Sequence, residues 1–262
     1  MKKLISLMLV AMMALTLCFA ASAEELPAAV QEIVDRGVLN VGVKEDVVGF
    51  GLYNTETGEY EGLEIDLARM IAEAMGVDSV EFTAVTAATR GQLLDAGDVD
   101  MVLATFTITD ERKLSYNFST PYYTDAVTVM VMKDSGIETL ADLEGKIIGV
   151  STGSTSMASL EEAAGVSLTF EEFATYPEIK LALTVGTIDA FCVDGSILSS
   201  YLDDDTVLLS ERFAPQQYGV ATKLDNTELA EYVDGLITMW LEDGTIDGLI
   251  EANGVVASYA EE

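Results

Sequence analysis

The sequence predicts an α/β protein built from two lobes. Short runs rich in β-branched residues alternate with patterns of helical spacing, and this alternation occurs twice along the 262 residues. Such alternation is typical of largely parallel sheets covered by helices. Because no low-complexity linker separates the two cycles, we expect two lobes joined by short crossing strands, not two independent domains.

The first cycle predicts three strands and two helices. Its strands are short apolar runs, and each helix has apolar residues at helical spacing and a glycine at its end. In chain order these elements are a strand at 39–44, a helix at 62–76, a strand at 80–85, a helix at 89–97 and a strand at 100–105.

The second cycle repeats this pattern and is followed by two amphipathic helices. This cycle begins after the run at 127–133, and its elements are strands at 146–150, 168–173 and 188–193 and helices at 155–165 and 177–186. The chain then runs through residues 216–223 into helices at 227–244 and 245–254. We therefore assign residues 24–132 and 220–262 to a discontinuous first lobe and residues 133–219 to a second lobe.

The charge balance excludes several classes of partner. The chain has 13 Lys and Arg residues against 45 Asp and Glu, a formal net charge of −32. Nucleic acids and anionic membrane surfaces are bound by clustered cations, and no such cluster is present. We expect no nucleic-acid partner.

The N-terminus predicts an exported protein. Residues 1–23 have two lysines, an apolar run and a small-residue sequence, which is the pattern of a signal peptide. Export as a soluble protein, periplasmic or extracellular, and anchoring by lipidation at Cys18 are the two alternatives. Cys192 is the only other cysteine, so we expect no internal disulfide and interpret it as a small buried hydrophobic residue.

A group of hydroxyls and one arginine follows the strand at 100–105. Thr105, Thr107 and Arg112 lie there, and Thr109 has the position of a helix cap. Free backbone N–H groups at a helix start and a guanidinium together can bind a carboxylate. A surface arginine paired with an adjacent acidic residue is an equally good interpretation of the spacing.

Two further polar positions follow strands of the second cycle. The loop at 151–156, which includes Ser151 and Thr155, joins a strand to a helix and offers backbone donors to an anion. Such loops also cap many helices that bind no ligand. Asp194 ends another strand, where its carboxylate can pair with an ammonium group or cap the next segment.

Arg90 and Lys44 lie at two more predicted junctions. Each is compatible with a solvated surface charge or with positive charge at the mouth of a ligand cleft. Ligands of α/β folds bind at the carboxyl ends of strands, so loops from both lobes are expected to face one cleft.

Several motifs in fixed order resemble the polar amino-acid periplasmic binding proteins, solute-binding family 3. The motifs are VGVKEDVVGFG, GLEIDLARMIAEAMG, TFTITDERKLSYNFSTPYY, ADLEGKIIGVSTGSTS and VGTIDAFCVD. The resemblance covers essentially the whole chain after the signal peptide. It implies a hinged two-lobed fold of type II, with a ligand cleft between lobes joined by two crossing strands. It also implies a monomer that closes on one amino acid and delivers it to the membrane permease of an ABC importer.

The resemblance also implies roles for individual residues. Arg112 and Thr107 would hold the α-carboxylate of the ligand, with help from the backbone at Thr155. Asp194 and the backbone of Thr105 would hold the α-ammonium group.

The specificity implied by the resemblance is for L-aspartate or L-glutamate. Val47 and Leu63 stand where glutamine-binding and basic-ligand members have aromatic rings. The segments around TRGQLLDAG and APQQYGV are similar to the aspartate/glutamate-binding branch, in which the arginine of the TRG segment holds the distal carboxylate. That arginine is Arg90, and Lys44 would assist it.

Other interpretations stay open at this point. Tyr176 and Tyr218 are either polar walls of the site or ordinary core residues. Glutamine or cystine is an alternative ligand, and an enzyme similar to the cyclohexadienyl dehydratases is an alternative on the same fold. The chain has no histidine and no motif of paired acids, nucleophile or metal ligands. We therefore expect no catalysis, no metal and no cofactor.

Overall fold

Three β-sheets with flanking helices make up residues 26–255, the part of the chain that the computed structural model describes. The predicted signal peptide, Cys18 and the last seven residues lie outside it. In chain order the elements are α1 (Ala28–Arg36), β1 (Leu39–Val43), β2 (Asp46–Val47), β3 (Gly51–Asn54), β4 (Glu59–Glu61), α2 (Leu63–Met75), β5 (Val80–Ala84), α3 (Arg90–Ala96), β6 (Met101–Leu103), β7 (Tyr116–Phe118), β8 (Tyr123–Met132), β9 (Ile147–Ser151), α4 (Ser156–Ala164), β10 (Thr169–Phe173), α5 (Tyr176–Thr184), β11 (Ala190–Asp194), α6 (Gly195–Ser200), β12 (Thr206–Leu208), β13 (Phe213–Tyr218), β14 (Ala221–Lys223), α7 (Thr227–Glu242) and α8 (Thr245–Ala252).

The first sheet has five strands in the order β5-β1-β6-β14-β7. Strand β1 pairs in parallel with β5 and β6, whereas β14 runs antiparallel to β6 and β7. Helix α2 buries a stripe that includes Leu67 and Ile71, and Gly76 ends it in the left-handed conformation (φ 78°). Each fully buried aliphatic side chain of this kind contributes about 1.5–3 kcal/mol, so the stripe fixes the helix on the sheet.

The second sheet has six strands. Strand β9 lies between β10 and β11 in parallel, and β8 runs antiparallel to β11, β12 and β13. A separate small sheet of β2, β3 and β4 follows β1. That small sheet could not be predicted from the sequence, because strands of two to four residues are too short to show a period.

Strand β8 belongs to the second sheet, although the predicted lobe boundary at residue 132 assigns it to the first lobe. That boundary puts residues 123–132 in the first lobe, whereas the strand pairs along its length with three strands of the second sheet. A strand that is apolar on both faces is equally suited to the interior of either sheet, so its sequence does not indicate which one it joins. We therefore place the first crossing between β7 and β8.

The two crossings lie side by side. The first runs from β7 to β8 and the second from β13 to β14. The Ser119 amide donates to the Val220 carbonyl at 3.0 Å, and the Tyr122 amide donates to the Tyr218 carbonyl at 2.9 Å. The segment after β6 contacts the second crossing, since the Ile108 amide donates to the Gln217 carbonyl at 2.8 Å and the Gly219 amide donates to the Phe106 carbonyl at 3.2 Å.

Across residues 26–255, no helix combines the length and the apolar character needed to cross a bilayer.

Candidate functional site

Arg112 connects the two sheets. Its Nη1 donates to the Thr107 carbonyl at 2.7 Å, and its Nη2 donates to the carbonyl of Gly153, in the loop after β9, at 3.0 Å. The guanidinium carbon lies 4.9 Å from the centre of the Phe106 ring. Burial, and then the charge of Arg90, lower the pKa of Arg112 to about 9. Its guanidinium is therefore a cation held at the boundary between the lobes.

The helix start predicted at Thr109 leads only into a short helical turn. Thr109 accepts a hydrogen bond from the Arg112 amide at 3.1 Å, as expected for a cap. The segment that it starts is a single 3₁₀ turn, Arg112–Leu114. The neighbouring acid Asp110 pairs with Lys113 at 3.7 Å, so the interpretation of Arg112 as a paired surface charge is not what the structure shows.

Arg90 is buried at the start of α3. Its Nη1 donates to the carbonyls of Ala104 and Thr105 at 2.7 and 3.0 Å. The guanidinium carbon lies 4.0 Å from the centre of the Phe106 ring, the same ring that Arg112 approaches. The Nε atom has no hydrogen-bond partner within residues 26–255. Burial lowers the pKa of Arg90, and the unpaired N–H is a donor available to a ligand oxygen.

Lys44 is buried at the end of β1 and already has an anionic partner. Its Nζ lies 3.1 Å from Asp46 Oδ1 and 4.6 Å from the centre of the Tyr176 ring. Burial is the main cause that lowers the pKa of Lys44, and Asp46 opposes it. The sequence analysis does not identify Asp46, which follows Lys44 by two residues.

Glu64 is a fully buried acid that the sequence analysis also misses. Its Oε1 accepts hydrogen bonds from the Thr105 amide and the Tyr122 hydroxyl, both at 2.6 Å. Its Oε2 has no partner among the described residues. Burial raises the pKa of Glu64, whereas the charges of Arg90 and Lys44 lower it.

Thr105 lies between two of these buried charges. Its amide donates to Glu64 and its carbonyl accepts from Arg90. Its φ of 46° is in the left-handed region, which costs a non-glycine residue about 1–2 kcal/mol. The two charged side chains hold this backbone conformation in place.

Asp194 ends β11 and belongs to a buried acidic cluster. The Tyr218 hydroxyl lies 2.5 Å from Asp194 Oδ2 and 3.4 Å from Asp125 Oδ2. Asp125 also accepts from the Ser196 amide at 3.1 Å and from the Ser196 hydroxyl. Burial, and then the charge of Asp125, raise the pKa of Asp194 to about 7. Tyr218 is therefore a polar member of this cluster and not only a core residue.

Two threonines from different lobes share one acceptor. The hydroxyls of Thr107 and Thr155 both donate to Gln216 Oε1, at 2.9 and 2.7 Å. Gln216 lies on β13 and is not identified from the sequence. Ser151 is buried at the end of β9, and its carbonyl accepts from the Ser154 amide at 3.0 Å.

The loop after β9 approaches the first lobe closely at Gly153. A Cβ atom built there would lie 3.0 Å from both the Ala87 carbonyl oxygen and the Ala88 Cα. Another contact between the lobes is a hydrogen bond of 2.6 Å from the Tyr201 hydroxyl to the Asp46 carbonyl. Most of the residues predicted for the site thus lie near one another at the cleft between the lobes, and Tyr176 is buried there beside Lys44.

A family model described as bacterial extracellular solute-binding proteins, family 3, matches residues 39–253. The chain belongs to this family. The predicted family is confirmed, and the extracellular character of the family agrees with an exported protein.

Relatives of this solute-binding protein have names that specify different amino acids. It is 34% identical over 261 residues to the ABC transporter glutamine-binding protein GlnH of Bacillus subtilis, covering 94% of this chain and 95% of the relative. It is 31% identical over 237 residues to the glutamate-binding protein GluB of Corynebacterium glutamicum, covering 84% of this chain and 79% of the relative.

A solved structure with a similar fold is the ancestral amino acid-binding protein AncCDT-1, described as a precursor of cyclohexadienyl dehydratase. The TM-score is 0.78 at 30% identity, covering 86% of this chain and 99% of that one. The predicted two-lobed type II fold of this solute-binding protein is confirmed.

Proposed function

We propose that this solute-binding protein binds one amino acid in the cleft and delivers it to the membrane permease of an ABC importer. The observation that carries this proposal is that Arg112, from the first lobe, and Asp194, from the second, lie close enough in one cleft for their charges to interact. Burial raises the pKa of Asp194, and the positive charge of Arg112 lowers it, so the two charges act on each other. A guanidinium and a buried carboxyl group in one cleft are the chemical partners of the carboxylate and ammonium groups that all amino acids share.

The proposed contacts follow from the donors at each end of the cleft. Arg112 and the hydroxyls of Thr107 and Thr155 hold the α-carboxylate. The two threonine hydroxyls would give up their hydrogen bonds to Gln216 and donate to the ligand instead. Asp194 and the Thr105 backbone hold the α-ammonium group. Ser151 lies at the base of the same loop, and Tyr218 orients Asp194 through its hydroxyl.

The proposed ligand is L-aspartate or L-glutamate. Arg90 is a buried cation whose Nε lacks a partner among the described residues, so a distal carboxylate would supply both the missing acceptor and the opposite charge. Lys44 supports this end of the cleft electrostatically, although its Nζ is paired with Asp46. Tyr176 forms the wall beside it.

L-glutamine is the second candidate, because the cleft holds more acid than the sequence analysis counts. Glu64 faces Arg90, and Asp46 neutralises Lys44. If both acids are ionised, Arg112 and Asp194 alone balance a zwitterion with a neutral side chain. The name of the Bacillus subtilis relative supports the same alternative.

The proposed ligands are tested by calorimetric titration with all twenty amino acids. The protein is first freed of bound ligand by unfolding and refolding. Tight binding of aspartate or glutamate with weaker glutamine supports the proposed ligand. Tight glutamine or cystine binding would retain the transport role and overturn the acidic specificity. Conversion of a bound compound to a product of different mass would instead support an enzyme on this fold, which we do not expect.

Replacement of Gly153 by alanine should weaken the binding of every amino acid by about tenfold. The added Cβ would press on the backbone of Ala87 and Ala88 only when the lobes are closed, and overpacking of this kind costs about 1–3 kcal/mol. Gly186→Ala is the matched control, because that glycine has a similar φ of 75° and nothing within 4 Å of a built Cβ. Calorimetry gives the affinities, and small-angle scattering should show that ligand compacts the control but compacts the Gly153 variant less. Equal affinities in the two variants would contradict closure at this contact.

A further inference from the structure

The acidic cluster at the ammonium end of the cleft contains one more carboxylate than binding requires. Asp125 is fully buried and Asp194 is 5% exposed. The Tyr218 hydroxyl lies within hydrogen-bond distance of both carboxylates. Because this hydroxyl has one proton, it can donate to only one of the two carboxylates at a time.

The charges around the pair do not neutralise it. Within residues 26–255, no lysine or arginine forms a salt bridge with Asp125 or Asp194. The groups whose charges reach Asp194 are Arg90 and Arg112, and each guanidinium donates to backbone carbonyls. Other titratable groups whose pKa values the charge of Asp194 raises are the hydroxyls of Tyr176 and Tyr218 and the Cys192 thiol, and these are neutral near pH 7. The Tyr123 ring also packs beside this cluster, 5.7 Å from the Tyr218 ring.

The donors around the two carboxylates are unequal. Asp125 accepts from the Ala126 amide at 2.7 Å and from both the amide and hydroxyl of Ser196, in addition to Tyr218. Asp194 has the Tyr218 hydroxyl as its short contact. Two carboxylates that share a buried site cannot both ionise easily, so the better-solvated member holds the charge and the other holds a proton.

We propose that Asp125 is a positioning residue of the ammonium site, which shares one proton with Asp194 through Tyr218 and gives up that proton when the ligand binds. This inference rests on the proposed function, since the ammonium group is what replaces the proton. The ligand's N–H groups then donate to an ionised Asp194, and the proton leaves for the solvent. Binding is therefore accompanied by proton release and weakens in acid.

The burial of the pair gives the expected pH range. The pKa of Asp194 is raised from its ordinary 3.8 to about 7, and that of Asp125 is raised as well. Below about pH 7, affinity should fall about tenfold for each pH unit, the dependence expected when one proton must leave. The distal carboxyl group of glutamate, with an ordinary pKa of roughly 4, and its α-ammonium group, with one of roughly 8 or more, change little in charge between about pH 5.5 and 7.

Calorimetry in buffers of different ionisation enthalpy tests the inference directly. L-glutamate and L-glutamine are titrated at pH 6.5, and the slope of observed enthalpy against buffer enthalpy gives the protons released. We expect the wild-type protein to release about three-quarters of a proton per ligand at this pH, because a site with a pKa of about 7 is only partly protonated there. The Asp125→Asn variant should release fewer protons per ligand. Without the negative charge of Asp125 beside it, Asp194 loses its proton at lower pH and is already ionised before the ligand binds.

Tyr218→Phe provides a second variant that retains the packed ring against Phe50 and Tyr123. Loss of its hydroxyl removes a donor to the ionised carboxylate, so the affinity profile should move to higher pH, opposite to the shift in Asp125→Asn. Absence of proton release in the wild-type protein, or shifts of both variants in one direction, would overturn the inference.

The stability of the protein without added amino acid gives a readout that does not depend on binding. A raised carboxyl pKa means that the folded state holds a proton that the unfolded state has lost. This contribution to stability is present below about pH 4 and is lost as the pH rises through about 7. Urea midpoints should fall more steeply over this range in the wild-type protein than in Asp125→Asn. If the urea midpoints of the two proteins fall equally with pH, proton sharing is overturned. If the midpoints fall unequally but neither glutamate nor glutamine gives a binding signal in calorimetry, only the proposed ligand class is overturned.

Discussion

Replacement of Arg112 by alanine should abolish or nearly abolish the binding of every amino acid that the wild-type protein binds. Arg112 is the only cation assigned to the α-carboxylate, and it also joins the lobes through the Gly153 carbonyl. Truncation of one partner of a buried hydrogen-bonded charge pair costs about 2–5 kcal/mol, a loss of roughly 30-fold to several thousand-fold. Calorimetry with aspartate, glutamate and glutamine measures the effect.

The control for this experiment is a charge change away from the cleft. Arg69 is a half-exposed arginine of α2 whose Nη1 lies 3.5 Å from Asp66, so Arg69→Ala removes the same charge without touching the cleft. Its affinities should match those of the wild-type protein. Retention of binding in Arg112→Ala, with the fold verified by circular dichroism, would remove Arg112 from the proposed carboxylate site.

Replacement of Arg90 by alanine should weaken the binding of acidic amino acids much more than it weakens the binding of glutamine. If Arg90 holds a distal carboxylate, aspartate and glutamate should bind on the order of 100-fold more weakly, because their second negative charge is left buried without a partner. Glutamine should lose less than about tenfold, since its side chain is neutral. The ratio of glutamate to glutamine affinity, measured by calorimetry, is the quantity that decides.

Arg90→Lys separates charge from geometry at the same position. The ammonium group of lysine keeps the positive charge but does not have the Nε donor and the planar fork of arginine. We expect it to restore part of the preference for acidic ligands. Equal losses for acidic and neutral ligands in Arg90→Ala would show that this arginine only supports the carbonyls of Ala104 and Thr105.

The order of elements and the strand-end residues could be predicted from the sequence. Glycines such as Gly76 and Gly97 end helices where expected, and the strand that ends in Asp194 is apolar up to that residue. Arg112 and Arg90 follow predicted strands or begin predicted helices, so topology alone places them at the sheet edges that face the cleft. Their roles toward a ligand remain predictions.

The buried acids could not be predicted in the same way. Glu64 lies in the first turn of α2, where an acid is ordinarily a favourable exposed residue near the helix dipole. Its burial is indicated only by its spacing to Ala68 and Ile71, which lie on the same face. Asp125 follows two tyrosines in an extended run, and Gln216 lies in a strand with alternating exposure. The significance of both depends on pairing between distant strands, which no local pattern encodes.

The paired crossings restrict how the lobes can move. Strands β8 and β13 continue their ladder through Tyr123 and Tyr218 up to the crossing, and backbone hydrogen bonds at Ser119 and Tyr122 tie the two segments together. Two independent tethers would allow twisting and sliding as well as bending, but a hydrogen-bonded ribbon resists sliding of one strand past the other. The lobes then have a single soft degree of freedom, an angle across the width of the ribbon. One distance between a pair of probes, one on each lobe, would follow the whole transition, and its relaxation should have a single phase.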